Sequence, residues 1–257
     1  MIKSLWTRLK QHHRTIAFPK QEPRLPEKFR GLPSIVQSRC PKHCSECVTS
    51  CPTDAITMKD KQPHWDLGRC LFCPECSRAC PHGAVLFTDD YRMATRTRDN
   101  LVIGPKEYGL AQPLEDQRRK LFGKSFKLRV VSAGGCNGCE VETNVLETIV
   151  FDIGRFGIGV VASPRHADGL IITGPVTHNM KSALEKTYRA VPDPKVVIAV
   201  GACAISGGPY IDSPVANNGV GNLLSVDLYI PGCPPHPLTI LDGLLRLLGR
   251  RYSTSRR

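Results

Sequence analysis

Twelve cysteines in three groups of four constrain this chain more than any other feature. The first two groups form an internal repeat: Cys40-Pro-Lys-His-Cys44-Ser-Glu-Cys47-Val-Thr-Ser-Cys51-Pro52, then Cys70-Leu-Phe-Cys73-Pro-Glu-Cys76-Ser-Arg-Ala-Cys80-Pro81. Even the tails match, Thr53-Asp-Ala-Ile56 against His82-Gly-Ala-Val85. A duplicated unit with one metal site per half is the simplest account.

At 257 residues and 41% hydrophobic composition, the chain can bury an ordinary core without covalent staples. No apolar run approaches the roughly 18–20 residues that span a bilayer. The longest, Val196–Ile205, is short and contains Gly201. Lys3, Arg8, Lys10, His12, His13 and Arg14 break up any secretory pattern near the N-terminus. The expected location is a reducing cytoplasm, where thiols stay free and bind metal.

The second quartet has the C-x2-C-x2-C-x3-C-P spacing of four-iron ferredoxins, in which the fourth cysteine ligates the other cluster of a pair. That rule assigns Cys40, Cys44, Cys47 and Cys80 to one cluster. Cys70, Cys73, Cys76 and Cys51 go to the other. The first gap of the first quartet departs from the pattern, with three residues where two are usual. A pair of zinc sites is the competing reading, since four thiolates also suit zinc. Zinc ribbons, however, use two separated C-x2-C pairs rather than three cysteines in one tight group.

The last four cysteines fall in a different context. Leu128–Ser132, Gly159–Ala162, Leu170–Thr173, Val196–Val200 and Val226–Ile230 are short, mostly β-branched apolar runs, as strands buried on both faces should be. A helical period joins Met180, Ala183, Leu184, Thr187, Tyr188 and Val191. A last helix is expected from Pro237 to about Gly249, with a core stripe of Leu238, Leu241, Leu245 and Leu248. Cys136 and Cys139 follow the first strand, Cys203 follows Val196–Val200, and Cys233 follows Val226–Ile230. In an open parallel sheet, the loops beyond the strands' carboxyl ends meet in one crevice. Glycines surround these cysteines, and glycine admits a bulky inorganic core and aims N–H groups at its sulfurs. The bland reading is four unrelated buried thiols.

With these residues in place, 127–249 resembles the small subunit of membrane-bound, energy-converting [NiFe] hydrogenases of the formate-hydrogenlyase type. It also resembles the complex I subunit that holds the terminal cluster. The matching stretches are Gly135-Cys-Asn-Gly-Cys-Glu-Val-Glu142, Ser163-Pro-Arg-His-Ala-Asp168, Gly201-Ala-Cys-Ala-Ile-Ser-Gly-Gly208 and Pro231-Gly-Cys-Pro-Pro235. Residues 34–92, with the lead-in Pro26-Glu-Lys-Phe-Arg-Gly31, resemble the two-cluster ferredoxin-like subunit of the same complexes.

The resemblance implies a fusion of two neighbouring subunits. Its parts are a basic extension over 1–33, a two-cluster ferredoxin-like α+β domain over 34–92, a linker or wrapping segment over 93–126, and a flavodoxin-like open parallel-sheet α/β domain over 127–257. It implies an oxidoreductase subunit that relays electrons through three [4Fe–4S] clusters. All twelve cysteines are ligands: Cys40, Cys44, Cys47, Cys51, Cys70, Cys73, Cys76, Cys80, Cys136, Cys139, Cys203 and Cys233. No residue is catalytic, because the nickel–iron centre belongs to a hydrogenase large subunit. Other peripheral electron-transfer subunits and membrane-arm subunits are the further partners, and the location is the cytoplasmic face of a membrane without a spanning helix.

The complex I relative carries adjacent cysteines at its first ligand pair, whereas Cys136 and Cys139 stand two residues apart. That difference favours hydrogenase over the alternative, a complex I-like quinone oxidoreductase. The family's acidic position falls on Glu142, near the large-subunit interface. A plain helix-first-turn or solvated glutamate is the other reading for it and for Glu140. His236 is a candidate to tune the nearby Cys233 site, and His12–His13 reads as surface.

A formal charge of +12 would suit a nucleic-acid partner, but the basic residues are not interleaved with aromatic stacking residues. Three clusters with their thiolates, at roughly −2 each, would bring the charge to about +6. At the N-terminus Ile2, Leu5, Trp6 and Leu9 fall on one helical stripe, with Lys3, Arg8, Lys10 and Arg14 to its sides and back. Such a basic amphipathic helix suits an anionic membrane surface or a groove on a membrane-arm partner. A colourless zinc-stabilised binding protein and a free-standing soluble ferredoxin remain as competing classes. The first would lack iron and labile sulfide, and the second would not need an α/β domain.

Overall fold

The computed structural model describes residues 2–12, 14–104 and 108–250. His13 and the last seven residues of the expected C-terminal domain lie outside the described residues, as do three residues of the 93–126 segment.

The elements run α1 (Ile2–Gln11), β1 (Pro33–Ile35), α2 (Glu46–Thr49), β2 (Ile56–Lys59), β3 (Gln62–Asp66), α3 (Glu75–Arg78), β4 (Val85–Phe87), β5 (Val102–Ile103) and α4 (Asp116–Phe122). They continue with β6 (Phe126–Ser132), α5 (Gly138–Val145), β7 (Ile158–Val160), β8 (Gly169–Thr173), α6 (His178–Ala190), β9 (Val196–Val200), α7 (Ala202–Ser206), β10 (Leu228–Ile230) and α8 (Pro237–Leu247).

The C-terminal half is an open sheet in the order β10-β9-β8-β6-β7, with every neighbouring pair parallel. Counted from its own first strand, this is the flavodoxin-like order expected from the sequence. Both faces of β8 and β9 are buried along their whole length, which is why their residues read as unbroken apolar runs. The direction of winding reverses between β6 and β8, and a crevice opens there at the carboxyl ends.

Helix α8 lies wholly within the core. Pro237 occupies its first turn, and His236 Nδ1 caps it by accepting the Leu238 N–H at 3.2 Å. Its Leu stripe is core, as the pattern predicts. Asp242 and Arg246 are buried one turn apart on it and pair at 2.8 Å.

The N-terminal half carries the repeat into three dimensions. One copy of the tail pairs β4 with β1, placing Val85 opposite Ile35. The other pairs β2 with β3, placing Ile56 opposite Trp65. A two-residue turn at Asp60 and Lys61, both at positive φ, closes the β2–β3 hairpin.

The 93–126 segment wraps. Its β5 adds to β3, and Thr95 exchanges backbone hydrogen bonds with Tyr229 at the edge of β10. The Leu114 N–H then donates to the Leu247 carbonyl at 2.8 Å, over the end of α8.

One further contact holds this segment to the ferredoxin-like half, and another joins the two halves. Arg98 forks onto both carboxylate oxygens of Asp66, at 2.7 and 2.5 Å, and the Ser206 hydroxyl on α7 donates to the Gly68 carbonyl at 2.8 Å.

Candidate functional site

Four-residue helices place the first eight thiols. Cys47 lies on α2 and Cys76 on α3, with the other cysteines in the turns around them. Helices this short have no stability of their own, so the turns must be held from outside. Backbone N–H groups point at the sulfurs in a pattern that follows the repeat. Ala55 donates to Cys51 Sγ and Ala84 to Cys80 Sγ, each at 3.2 Å and each four residues on. Phe72 donates to Cys70 Sγ at 3.3 Å.

The electrostatics show which thiols are neighbours. Burial, followed by the thiols of Cys44 and Cys80, pushes the Cys40 thiol up. Burial also pushes Cys47 up to about 11, with Cys76, Cys40 and Cys44 adding to it. Burial carries Cys70 up to about 12, the Phe72 N–H pulls against it, and Cys76, Cys51 and Cys73 reinforce it. The structure therefore brings Cys40, Cys44, Cys47 and Cys80 together, and separately Cys51, Cys70, Cys73 and Cys76. In each group the fourth member comes from the other copy of the repeat. Cys80 goes the other way from Cys40, Cys47 and Cys70: burial raises it, but the N–H groups of Ala84, Val85, His82 and Gly83 outweigh burial and hold it below its ordinary value.

The third quartet hangs from the sheet. Cys136 and Cys139 follow β6, where Asn137 in the left-handed region opens α5. Cys203 sits on α7 directly after β9, and Cys233 follows β10. Burial pushes Cys203 up to about 12, with Cys233 and Cys136 beside it. Burial raises Cys139 further, and Cys203, Glu140, Cys233 and Cys136 add to the effect.

The donor set fits an iron–sulfur cluster. Thiols crowded and buried in this way ionise together only when a cationic core replaces their protons. Cys51, Cys70, Cys73 and Cys76, from here on the second quartet, line one cavity with Pro52, Ile56 and Trp65. Among the described residues, no three His, Cys, Asp or Glu side chains converge tightly enough to hold a single metal ion. At the third quartet Gly201 is at φ +89°, and a Cβ there would stand 2.5 Å from Cys139 Sγ. Its part is to leave room for the sulfur, whereas the N–H bonds to sulfur just described come from Ala55, Phe72 and Ala84.

Three features escaped the sequence reading. Glu140 is a buried carboxylate in the first turn of α5, accepting the Ser132 hydroxyl at 2.5 Å and the Thr173 hydroxyl at 2.7 Å. It ties the ligand loop to β6 and β8, and only its first-turn position was legible beforehand. Trp65 reaches the second quartet from β3, with no signal beyond its alternation with Pro63. The Asp66–Arg98 fork had no signal at all.

Glu142 lies in a cavity with Cys233, His236 and Arg30, where burial raises its carboxyl above the usual range. The His236 ring is committed to the α8 cap and to an edge contact with Phe29 at 5.4 Å.

Two family profiles match the chain. That of the NADH ubiquinone oxidoreductase 20 kDa subunit covers residues 136–247, and that of a 4Fe-4S dicluster domain covers residues 39–84. A probable membrane-bound hydrogenase subunit, mbhJ, of Pyrococcus furiosus is 43% identical over 129 residues, which are 50% of this chain and 77% of that protein. Formate hydrogenlyase subunit 7 of Escherichia coli is 48% identical over 130 residues, 51% of each chain. An NADH-quinone oxidoreductase subunit of Phocaeicola vulgatus is 47% identical over 110 residues, 42% of this chain and 56% of that one. The chain thus spans about half the length of the last two.

Proposed function

The chain belongs to the family of the NADH ubiquinone oxidoreductase 20 kDa subunit, and on that premise we propose that it is the electron-transfer subunit of a membrane-bound hydrogenase-type complex, holding three [4Fe–4S] clusters in a row. The observation that carries this reading is the adjacency of the thiol groups. Cys47 of the first quartet feels Cys76 of the second, and Cys233 of the third feels Cys73 of the second. The second quartet is the middle of the row.

Each cluster, when bound, supplies a one-electron redox step. The protein holds the sulfurs, excludes water and fixes the spacing. Cys47, Cys70, Cys76 and Cys203 are buried, and the N–H groups on Cys51, Cys70 and Cys80 offset thiolate charge. The Ser206–Gly68 bond keeps the second and third quartets in register.

Cys136 and Cys233 are exposed at the outer end of the row. Val141, on α5, and Ile149, after it, are 49% and 67% exposed. This face suits a covering subunit, and we assign it to the catalytic large subunit; electrons would leave at the other end, through the first quartet, toward other peripheral subunits. The two-residue gap between Cys136 and Cys139 favours a hydrogenase partner over a quinone reductase.

No helix among the described residues is long and apolar enough to cross a membrane. We place the chain peripherally at the cytoplasmic face, with α1 toward membrane-arm subunits.

Anaerobic iron and sulfide analysis tests the cluster reading. About twelve irons and twelve sulfides per chain are expected from four-thiolate ligation. Stoichiometric zinc without labile sulfide ends it. Nickel in the co-purified partner separates hydrogenase from quinone reductase.

A further inference from the structure

Trp65 is 2% exposed and lines the cavity shared by Cys51, Cys70, Cys73 and Cys76. Its indole Nε1 is buried with no hydrogen-bond partner among the described residues. Leaving such a donor unmade costs about 1–3 kcal/mol, and buried tryptophans normally find an acceptor. The sulfurs of these four cysteines line the same cavity and can accept from the indole.

The repeat supplies an internal control. Trp65 pairs with Ile56 across β2–β3, and Ile35 pairs with Val85 across β1–β4. Ile56 and Val85 are matching positions of the two tails, so Ile35 stands in the first half where Trp65 stands in the second. Isoleucine has no side-chain donor. The two halves are therefore chemically unequal at this one place.

We propose that Trp65 donates its indole N–H to a sulfur of the second cluster and thereby sets that cluster's reduction potential above that of the first. The inference rests on the cluster reading above. Reduction adds negative charge to the core and its ligand sulfurs, so a donor stabilises the reduced form more than the oxidised one. Because the second quartet neighbours the first in the row, an electron on the first cluster moves downhill onto the second. Trp65 is buried in the chain and performs no chemistry; it is a positioning and tuning residue.

The test is an EPR-monitored redox titration of the full chain in its complex, with the second cluster's signal assigned by its loss in Cys70→Ala. Trp65→Phe removes the donor. Replacing Trp65 with 3-benzothienylalanine, which has sulfur in place of the N–H, removes it at constant shape and guards against a folding defect. The expected result is a roughly tenfold lower reduced-to-oxidised ratio at fixed potential, about 59 mV more negative for a one-electron couple. The other two clusters should not move. Nitrogen-15 in the indole should also give a hyperfine coupling to the reduced second cluster. An isosteric variant that assembles all clusters and titrates at the wild-type potential overturns the proposal. A wild-type complex without iron–sulfur signals overturns the cluster reading and this inference with it.

Discussion

In the ferredoxin-like half, α2 and α3 have four residues each and the strands have two to five; in the α/β half, the third quartet extends from a sheet whose β8 and β9 are buried throughout. Cys47, Cys70 and Cys76 belong to a buried apolar cluster that continues into the α/β half, so there the ligands are themselves core. Around the third quartet, Cys136 and Cys233 are exposed and the core lies underneath. One half is organised around its thiols, and the other would be organised without them. A site made of closely spaced ligands needs little scaffold but depends on its metal, whereas ligands gathered from distant loops need a scaffold that already stands.

Removing the clusters by oxidation and chelation should break this comparison most visibly. Two- and three-stranded sheets with single-turn helices are not stable alone. Amide protection should vanish over 33–103 and persist in β6, β8 and β9. Hydrogen exchange of the cluster-free protein checks this, and retained protection across β2–β3 would show that the first half has a core of its own.

Cys203→Ser should remove the third cluster and stop electron flow to the partner, while the signals of the first two clusters remain. The fold should stand, since the scaffold under this site does not need it. Full donor-linked turnover in the variant would place the route elsewhere.

Gly68→Ala sharpens the comparison at the contact between halves. The new Cβ would meet Ile205 Cγ2 at 2.7 Å and Arg98 Cζ at 2.9 Å. Overpacking of this kind costs about 1–3 kcal/mol. The expected outcome is a weakened dipolar coupling between the second and third clusters and several-fold slower transfer between them, with both potentials unchanged.

A pH effect should appear only in the cluster-free α/β half. The Cys203 thiol, ordinarily at 9.0, is raised to about 12 by burial and its neighbours. Below about pH 9 it is protonated in both the folded and unfolded chains, and contributes nothing. Above that, the unfolded chain releases the proton while the folded one retains it, so stability falls with rising pH, by at most about 1.4 kcal/mol per unit for this thiol, and the raised Cys139 and Cys233 thiols add in the same direction. Urea melts of the cluster-free form at about pH 8 and about pH 11 measure it, and the loaded protein should lack this dependence.

The smallest effect on the fold should come from deleting residues 1–12. Helix α1 buries none of its residues, and Ile2, Leu5, Trp6 and Leu9 are 60–77% exposed. The cut stops short of Phe18, which is buried, and of Ile16, whose N–H donates to the Val150 carbonyl. Clusters and melting temperature should be unchanged while the chain leaves washed membranes. Undiminished membrane binding would move the anchor to the α/β half.

Local order along the chain determined a great deal. The crossed sharing of Cys51 and Cys80 follows from the ferredoxin spacing, because three closely spaced cysteines leave the fourth facing the sister site. The parallel sheet was legible because strands buried on both faces must be apolar throughout, and the end of α8 because its stripe runs out before Gly249. Tertiary structure decided the rest. That Cys73 and Cys233 are neighbours, that Trp65 rather than Ile35 carries a donor to a thiol cavity, and that Glu140 bridges β6 and β8 all depend on where distant backbone segments come to lie. A contact made across a fold leaves no period and no spacing in sequence, since the free energy that selects it comes from the packing of residues far apart in the chain.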